Sequence, residues 1–219
     1  MPTLPLIADV SIDLELQMAR VSERLVRFGH TVLEEPMWRA AWIGRFMAPY
    51  RRLRFYHFGE RSVVYRPTWL YGTHRISVGD DVFVHAGAWL SAERQAWDRD
   101  EPTIIVGDRV VLRTHSTLSA ACSIRIEDDV VFGGTVTVVD SDHTWKDGQP
   151  SVLYNAVEAD PIRIGRGSWI GDHVVVLRGS DIGQFCVVGA NSVVRGKIPD
   201  HSIAVGAPAR VVGMTSPPA

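Results

Sequence analysis

The sequence predicts an all-β solenoid in which short strands wind into triangular coils. An aliphatic residue recurs at every sixth position, glycine often follows it, and a small or β-branched residue comes four positions after it. Because a strand alternates its faces, the first and fifth residues of each unit point inward together, and the sixth residue and the glycine turn a corner. Three such sides close one coil, and the next coil stacks about 4.8 Å away through parallel hydrogen bonds. The clearest aliphatic positions are Ile164, Ile170, Val176, Ile182, Val188 and Val194.

The same spacing recurs earlier in the chain. Stretches with this six-residue spacing begin at Val78 and at Val106. After a shift of two residues, the spacing resumes at Ile126. Each unit can bury its apolar face only against a neighbouring unit, so repetition over this length favours a stacked solenoid. About 15 or 16 units predict roughly five coils and a column about 25 Å long. A sandwich of short strands is the alternative fold, but its strands rarely keep one spacing over long stretches.

Composition and charge narrow the functional classes. The chain has 219 residues, of which 46% are hydrophobic, and this length predicts one or two domains. A net charge of −2 gives no overall electrostatic case for nucleic-acid binding. No apolar run approaches the roughly 18 residues of a membrane span, and no secretion leader is recognised, so we expect a cytoplasmic protein. Cys122 and Cys186 occupy small-residue positions of the repeat, which indicates buried thiols rather than a disulfide or a metal site.

Two polar stretches interrupt the repeat, at residues 91–103 and 140–161. Loops this long in a compact domain are usually functional or disordered. The longer stretch contains enough apolar residues to pack, so we expect an ordered arm. These apolar residues are Trp145, Leu153, Tyr154 and Val157.

The first 58 residues fall outside the recognised repeat. Residues 14–28 carry one apolar stripe that stops at Gly29, which predicts an amphipathic helix. Residues 36–56 interleave aromatic residues with arginines, and such a segment either caps one end of a solenoid or lies at a membrane surface as a peripheral contact. The predicted divisions are an N-terminal helical segment (1–58), a coiled domain (59–212) with the inserted loop 140–161, and a flexible tail (213–219).

Three stretches resemble the hexapeptide-repeat acyltransferases, in particular the branch of maltose, galactoside and polysaccharide O-acetyltransferases. They are DSDHTW from Asp140, PIRIGRGSWIGDHVVVLRGSDIG from Pro161 and VVGANSVVRGKIPDHSIAVGAPARVV from Val187. The resemblance runs from about Gly59 to Val212. It implies a left-handed parallel β-helix, a homotrimer, and acyl-CoA, most simply acetyl-CoA, bound in the groove between adjacent prisms with no metal required.

The resemblance places a general base at the start of the long loop. An alcohol attacks a thioester only as its proton is removed, and imidazole, with an ordinary pKa of about 6.5, suits that task. In the family a histidine at this place is the base, and His143 stands at the matching position. Asp140 and Asp142 flank it, and either could orient the ring or cap a turn of the loop. Ser141 stands where some relatives have a second histidine.

Acceptor contacts are assigned through the same resemblance. Relatives often place an asparagine on the prism to hold the acceptor sugar, and Arg113 and His115 stand in that region, about one and a half coils below His143 by counting units. Asp142, beside the base, is a third candidate for substrate contact. The expected acceptor is therefore a hydroxyl of a sugar or glycan.

The donor site is expected along the prism. The family's groove tryptophan corresponds to Trp169, and a backbone N–H near Gly171 is a candidate oxyanion donor. Arginine suits the phosphates of CoA, and Arg210 matches the family's phosphate-binding arginine, whereas Arg195 and Lys197 are displaced by one position from the relatives' basic residues. Small side chains that leave room for the pantetheine chain are those of Gly189 and Ala190.

The sequence thus predicts a CoA-dependent O-acyltransferase in which the acceptor hydroxyl attacks the thioester directly. Transfer to the amine of an amino sugar nucleotide is the nearest alternative. Two other classes share the prism, namely a non-catalytic trimeric scaffold and a γ-type zinc carbonic anhydrase. The latter holds zinc with a close pair of histidines, and no two of the eight histidines lie within five positions of each other.

Overall fold

The computed structural model describes residues 36–94, 100–145 and 150–216. The chain divides into two units, residues 1–43 and residues 44–219. The described part of the first unit is the beginning of helix α1 (Pro36–Arg54), and the second unit holds the rest of this helix and all the strands. The amphipathic helix expected over residues 14–28 lies outside the described residues. None of the helices in the described ranges is both long and apolar enough to cross a bilayer.

Three sheets form the walls of a prism, and the chain visits them in turn. The first sheet contains β1 (His57–Phe58), β4 (Ile76–Val78), β7 (Ile104–Val106), β10 (Ile124–Ile126), β15 (Ile162–Ile164), β18 (Asp181–Ile182) and β21 (Lys197–Ile198). The second contains β2 (Val63–Val64), β5 (Phe83–Val84), β8 (Val111–Leu112), β11 (Val131–Phe132), β16 (Trp169–Ile170), β19 (Val187–Val188), β22 (Ser202–Val205) and β23 (Arg210–Met214). The third contains β3 (Trp69–Tyr71), β6 (Trp89–Ala92), β9 (Thr117–Ala120), β12 (Thr137–Val139), β17 (Val175–Val176) and β20 (Val193–Val194). A separate hairpin is formed by β13 (Ser141–His143) and β14 (Val157–Ala159).

Neighbouring strands within each wall are parallel and in register. Ile124 of β10, for example, lies beside Ile104 of β7 on one side and Ile162 of β15 on the other. Only two pairs in the described part of the chain are antiparallel, β13 with β14 and β22 with β23. The predicted fold class, a left-handed parallel β-helix preceded by a helical segment, is confirmed.

The solenoid is longer than the roughly five coils expected from counting units. The third sheet has six strands, so the chain completes six coils, and β21 and β22 begin a seventh. The additional first coil is formed by β1, β2 and β3, in which Phe58, Val64 and Leu70 already keep the six-residue spacing. This coil is hard to recognise in the sequence because aromatic residues follow Val64 and Leu70, and because the next spaced residue, Val78, comes two positions late.

Other segments of the second unit pack at both ends of the prism. At the first coil, Gly44 of α1 lies so close to Val63 that a Cβ at Gly44 would come 2.5 Å from a methyl carbon of Val63. Phe55, just after the helix, is buried, and its ring meets that of Phe58 edge to face with 5.2 Å between centroids. At the last coil β23 folds back on β22, so residues 213–214, expected in the flexible tail, belong to the final strand.

The inward positions of the coils form one continuous core. Serine recurs at the small position of the repeat because its hydroxyl can bond to the backbone at the corner. Ser168 Oγ donates to the carbonyl of Gly183 at 2.9 Å and accepts the N–H of Cys186 at 3.0 Å, which satisfies a buried polar group. Cys186 is buried as predicted, Cys122 is only half-buried, and neither forms a disulfide. The aliphatic positions that define the repeat are at most 1% exposed: Ile164, Ile170, Val176, Ile182, Val188 and Val194.

Candidate active site

Two corners of the prism carry the residues that the sequence singles out. We call the corner between the third and first sheets the arm edge, because the long loop leaves the prism there after β12. It includes residues 139–140, 177–179 and 195–197. We call the corner between the second and third sheets the far edge. It includes residues 113–116, 171–174 and 189–192.

The long loop forms the expected ordered arm in its described residues. β13 and β14 pair antiparallel, and a 3-10 turn (Val152–Tyr154) lies between them. Asp140 anchors the beginning of the arm, because its buried carboxylate accepts the N–H groups of Ala121, Cys122 and Ser123 at 2.7, 2.8 and 2.7 Å. Burial raises the pKa of this carboxyl, while the three N–H donors favour its ionised form. Asp140 therefore ties the arm to the preceding coil.

Arg178 ties both strands of the arm to the prism. This residue lies at the arm edge after β17, one coil above the point where the arm leaves. Its guanidinium donates to three carboxylates: Nε to Asp142 at 3.0 Å, Nη1 to Asp160 at 2.5 Å and Nη2 to Glu158 at 2.7 Å. Asp142 belongs to β13 and Glu158 to β14, so a single side chain fixes the position of the whole hairpin.

His143 is exposed and lines a cleft of about 650 Å³. Asp142 is bonded to Arg178 and Asp140 to backbone N–H groups, so neither of the carboxylates that flank His143 in sequence is bonded to its ring. The residues that line the cleft are Asp142, His143, Thr144, Trp145, Glu158, Arg178 and Arg195.

The structure brings together only part of the predicted site at the arm edge. Asp142, His143 and Arg195 line the same cleft. Arg195 follows β20, in the coil directly above Arg178, and Lys197 is exposed two residues further on. Cations beside the base can attract an anionic donor. The arm edge thus combines a candidate base with a candidate phosphate contact.

The remaining predicted residues lie at the far edge or beside it. Trp169 faces outward from the second sheet with 53% of its surface exposed. Arg210 is exposed at the start of β23 and pairs with Val205 at the end of β22. About five or six residues separate the middle of the far edge from the middle of the arm edge, which corresponds to about 15–20 Å across the third sheet. The predicted residues at the far edge itself are Arg113, His115, Gly171, Gly189 and Ala190.

Backbone amides at the far edge are used in stacking the coils. The N–H of Gly171 donates to the carbonyl of Val188 at 2.8 Å, and that of Gly189 to the carbonyl of Ala204 at 2.9 Å. A Cβ at Gly171 would lie 2.7 Å from the backbone nitrogen of Ala190, so glycine is required here by the close approach of two coils. The N–H of Gly171 itself is thus used in stacking the coils, and the oxyanion donor expected near Gly171 or Asp172 stays a prediction.

Arg113 and His115 lie at a different corner from His143. His115 adopts a φ of 59°, and its ring rests on Gly87, where a Cβ would come 2.4 Å from Nδ1. Burial and the nearby charge of Arg113 lower the pKa of His85, which belongs to the same corner. The expected placement, about one and a half coils below His143, agrees with a corner that lies one wall and one coil before the point where the arm leaves. Within one copy these residues therefore do not face the candidate base.

Sequence reasoning missed two features of this region. Only one feature of the sequence could have pointed to Arg178, namely its position at a corner of the prism one coil after the long loop. Trp69 and Trp89 stack on the outer face of the third sheet with 5.2 Å between ring centroids and 20° between planes. Both remain half-exposed, and each directly precedes an aliphatic residue of the repeat, Leu70 or Leu90, which is the position that singled out Trp169. They lie two and three coils below β12, about 10–15 Å from the strand that leads into the arm.

The zinc site of a carbonic anhydrase would be built from His, Cys, Asp or Glu side chains. A catalytic zinc site needs three protein ligands close together. In residues 36–94, 100–145 and 150–216, no three His, Cys, Asp or Glu side chains form such a group.

Known proteins resemble this chain over its coiled part. Residues 161–196 match the family described as bacterial transferase hexapeptide (six repeats). A Mycobacterium tuberculosis protein named as a probable acetyltransferase is 37% identical over 147 residues, 63% of this chain and 49% of that protein. An Escherichia coli protein named for O-acetyl transfer in lipopolysaccharide biosynthesis is 33% identical over 116 residues, 50% of this chain and 59% of that protein. The chain therefore spans about half the length of these curated relatives.

A solved structure shares the architecture. Galactoside acetyltransferase in complex with coenzyme A is 27% identical, with a TM-score of 0.56 and 64% of each chain covered. The family match includes Trp169, Gly171, Gly189, Ala190 and Arg195, which the sequence had assigned to the donor site. The match, these similarities and the coiled fold confirm the resemblance to the hexapeptide-repeat acyltransferases that the motifs indicate.

Proposed function

We propose that this protein is an acyl-CoA-dependent O-acyltransferase, with acetyl-CoA as donor and a hydroxyl of a sugar or glycan as acceptor. The observation that carries the proposal is the placement of His143 beside an open cleft, on an arm that Asp140 and Arg178 hold in position. Relatives named as acetyltransferases, one of them for lipopolysaccharide biosynthesis, support the reaction and the acceptor class. CoA thioesters are made in the cytoplasm, so we place the protein there.

His143 acts as the general base in this reaction. The acceptor oxygen attacks the thioester carbon while an imidazole nitrogen of His143 takes the hydroxyl proton. The carbon–sulfur bond then breaks, and the imidazolium returns the proton to the sulfur of CoA. An ester and the free CoA thiol are formed, and no covalent acyl-enzyme is required. Because neither Asp140 nor Asp142 bonds to the ring, the position of the ring depends on the arm itself.

The donor lies along the far edge, and this placement requires a second copy of the chain. Trp169 offers an exposed ring beside small residues, and Arg210 offers a guanidinium for phosphate. The far edge and the arm edge, from which the arm with His143 leaves the prism, are separated by the width of the third sheet, about 15–20 Å, so we infer that one copy does not complete the site. In a homotrimer the arm of one copy meets the far edge of its neighbour. Leu153 and Tyr154, which are 74% and 70% exposed on the arm, supply apolar surface for that contact.

The acceptor lies against the outer face of the third sheet. Trp89 has Trp69 on one face, while its strand neighbour on the other side is the small Thr117. Flat exposed indoles suit the apolar faces of sugar rings. This aromatic surface ends about 10 Å below the strand that leads into the arm, which favours an acceptor of more than one sugar unit.

Release of the CoA thiol from acetyl-CoA tests the proposal. The acceptor panel contains a monosaccharide, an oligosaccharide and an amino sugar nucleotide. We expect His143→Ala to lower kcat by at least about 100-fold, because a general base typically contributes that much, while the Kd for acetyl-CoA measured by calorimetry stays unchanged. His57→Ala, which removes an exposed histidine from the first coil, is the matched control and keeps full turnover. Near-normal turnover of His143→Ala would remove the base assignment, and activity with the amine acceptor alone would replace O-acylation by N-acylation.

A further inference from the structure

Helix α1 has two distinct faces over residues 44–54. Gly44 and Arg51 are buried and face the first coil. Phe46, Tyr50 and Leu53 are 87%, 55% and 85% exposed. At about 100° per residue these three side chains fall within roughly 60° of one another and opposite the buried pair. The helix therefore packs on the prism with one face and presents an apolar stripe on the other.

Arginines flank this stripe on both sides. The helix contains five arginines and no acidic residue, in a chain whose overall charge is −2. Arg45 and Arg52 are exposed on one side of the stripe, and Arg54 is exposed on the other, with its guanidinium carbon 6.0 Å from the centre of the Tyr50 ring. The exposed apolar stripe is thus bordered by three exposed arginines and by no acidic residue of its own helix.

This combination selects an anionic lipid surface over a second copy of the chain. Two copies meeting through this helix would bring like charges together, which disfavours the contact. An aromatic and aliphatic stripe bordered by arginines is the composition of helices that lie in the plane of the membrane interface, where the apolar side chains enter the headgroup region and the cations meet anionic lipids. The helix is not apolar enough to cross the bilayer, in keeping with an in-plane position.

We propose that residues 44–54 of α1 bind the surface of an anionic lipid bilayer, with Phe46, Tyr50 and Leu53 inserted at the headgroup level. The buried contacts of Gly44 and Arg51 then fix the prism to the membrane-bound helix. Binding itself is independent of the proposed enzymatic activity. Only its consequence, that the cleft is presented to membrane-bound glycans, rests on that activity.

Flotation of the full-length protein with vesicles tests this proposal. We expect the protein to float with vesicles of phosphatidylcholine and phosphatidylglycerol at low salt, and to float much less with pure phosphatidylcholine or at 0.5 M NaCl, because salt screens the arginines. Phe46→Ser combined with Leu53→Ser should weaken partitioning at least about 10-fold, since both side chains are exposed and insert. The matched control is Val212→Ser, which removes an exposed apolar side chain from β23.

Three outcomes would overturn the proposal. The first is an absence of flotation with anionic vesicles at low salt. The second is equal flotation of the double variant and the Val212→Ser control. The third is a change in molecular mass of the double variant without lipid, which would show that another protein surface covers the stripe. Circular dichroism of each variant establishes that it is folded before flotation is compared.

Discussion

Replacement of Asp140 will reduce the stability of the protein rather than remove a catalytic group. One carboxylate oxygen accepts the N–H of Ala121, and the other accepts those of Cys122 and Ser123. In Asp140→Asn the amide oxygen can keep the latter two bonds, but the amide NH₂ then faces the N–H of Ala121. Loss of one bond to a charged acceptor costs about 1.5–3 kcal/mol, so we expect the free energy of unfolding to fall by about 2 kcal/mol.

Asp140→Ala removes all three acceptor contacts. The amide of Ala121 is buried and would be left without its acceptor, whereas those of Cys122 and Ser123 are half-buried and can be reached by water. We therefore expect a loss of about 3–5 kcal/mol, less than three fully buried bonds would imply. The measurement is urea unfolding followed by tryptophan fluorescence at a fixed protein concentration, because an oligomer gains stability with concentration.

The control for these variants is Asp142→Asn, and kcat separates the two possible roles of Asp140. Asp142 is an exposed partner of Arg178, so its replacement should change the free energy of unfolding by less than about 1 kcal/mol. If Asp140→Asn instead keeps wild-type stability while its kcat falls as far as that of His143→Ala, Asp140 orients the imidazole and the structural reasoning is refuted.

Two further predictions concern the arm and the assembly. Arg178→Ala should lower kcat about 10–100-fold with little change in KM, because displacement of a catalytic group by about 1 Å costs that much, and Arg178→Lys should recover part of the loss. Arg163→Ala, which breaks a similar pair of contacts on the first sheet, is the matched control; an equal loss of kcat in both variants would contradict a positioning role for Arg178. Co-expression of His143→Ala with Ala190→Trp, each inactive alone, should restore about a quarter of wild-type activity, because in random trimers a quarter of the interfaces pair an intact arm with an intact far edge. No recovery in mass-verified mixed trimers would place the whole site within one copy.

Much of the fold could be predicted from the sequence because the coil has a local period. Ile164 and Ile170 are buried and Trp169 is exposed, as the alternation of faces within one unit requires. The first coil was not counted although it keeps the same spacing, because aromatic residues follow Val64 and Leu70 and the next spaced residue comes two positions late. An ordered arm was predicted from the length and apolar content of the loop. The structure shows that the described part of this arm is an antiparallel hairpin of β13 and β14.

The candidate site was predictable only where a residue's position along the repeat decides its environment. The exposure of Trp169 follows from the repeat, but the commitment of the Gly171 amide to coil stacking does not. The sequence offered three roles for Asp142, namely orienting the ring, capping a turn or contacting the substrate, and its hydrogen bond to Arg178, 36 residues away, adds a fourth. The hydrogen-bond partners of the Gly171 amide and the Asp142 carboxylate lie in neighbouring coils. Which residues meet there depends on the lengths of the loops and on the shifts in spacing between the coils.

The sequence by itself determined the six-residue coil, the identity of the inward side chains and the place of His143 at the start of the arm, because each of these depends on neighbours within one unit. Only the tertiary structure decided that Asp140 and Arg178 fix the arm, and that the arm and the residues proposed to bind the donor lie at different corners of the prism or beside them. The physical reason is that both facts depend on how successive coils stack, and a corner residue acquires its partners from the coils above and below it rather than from its own segment.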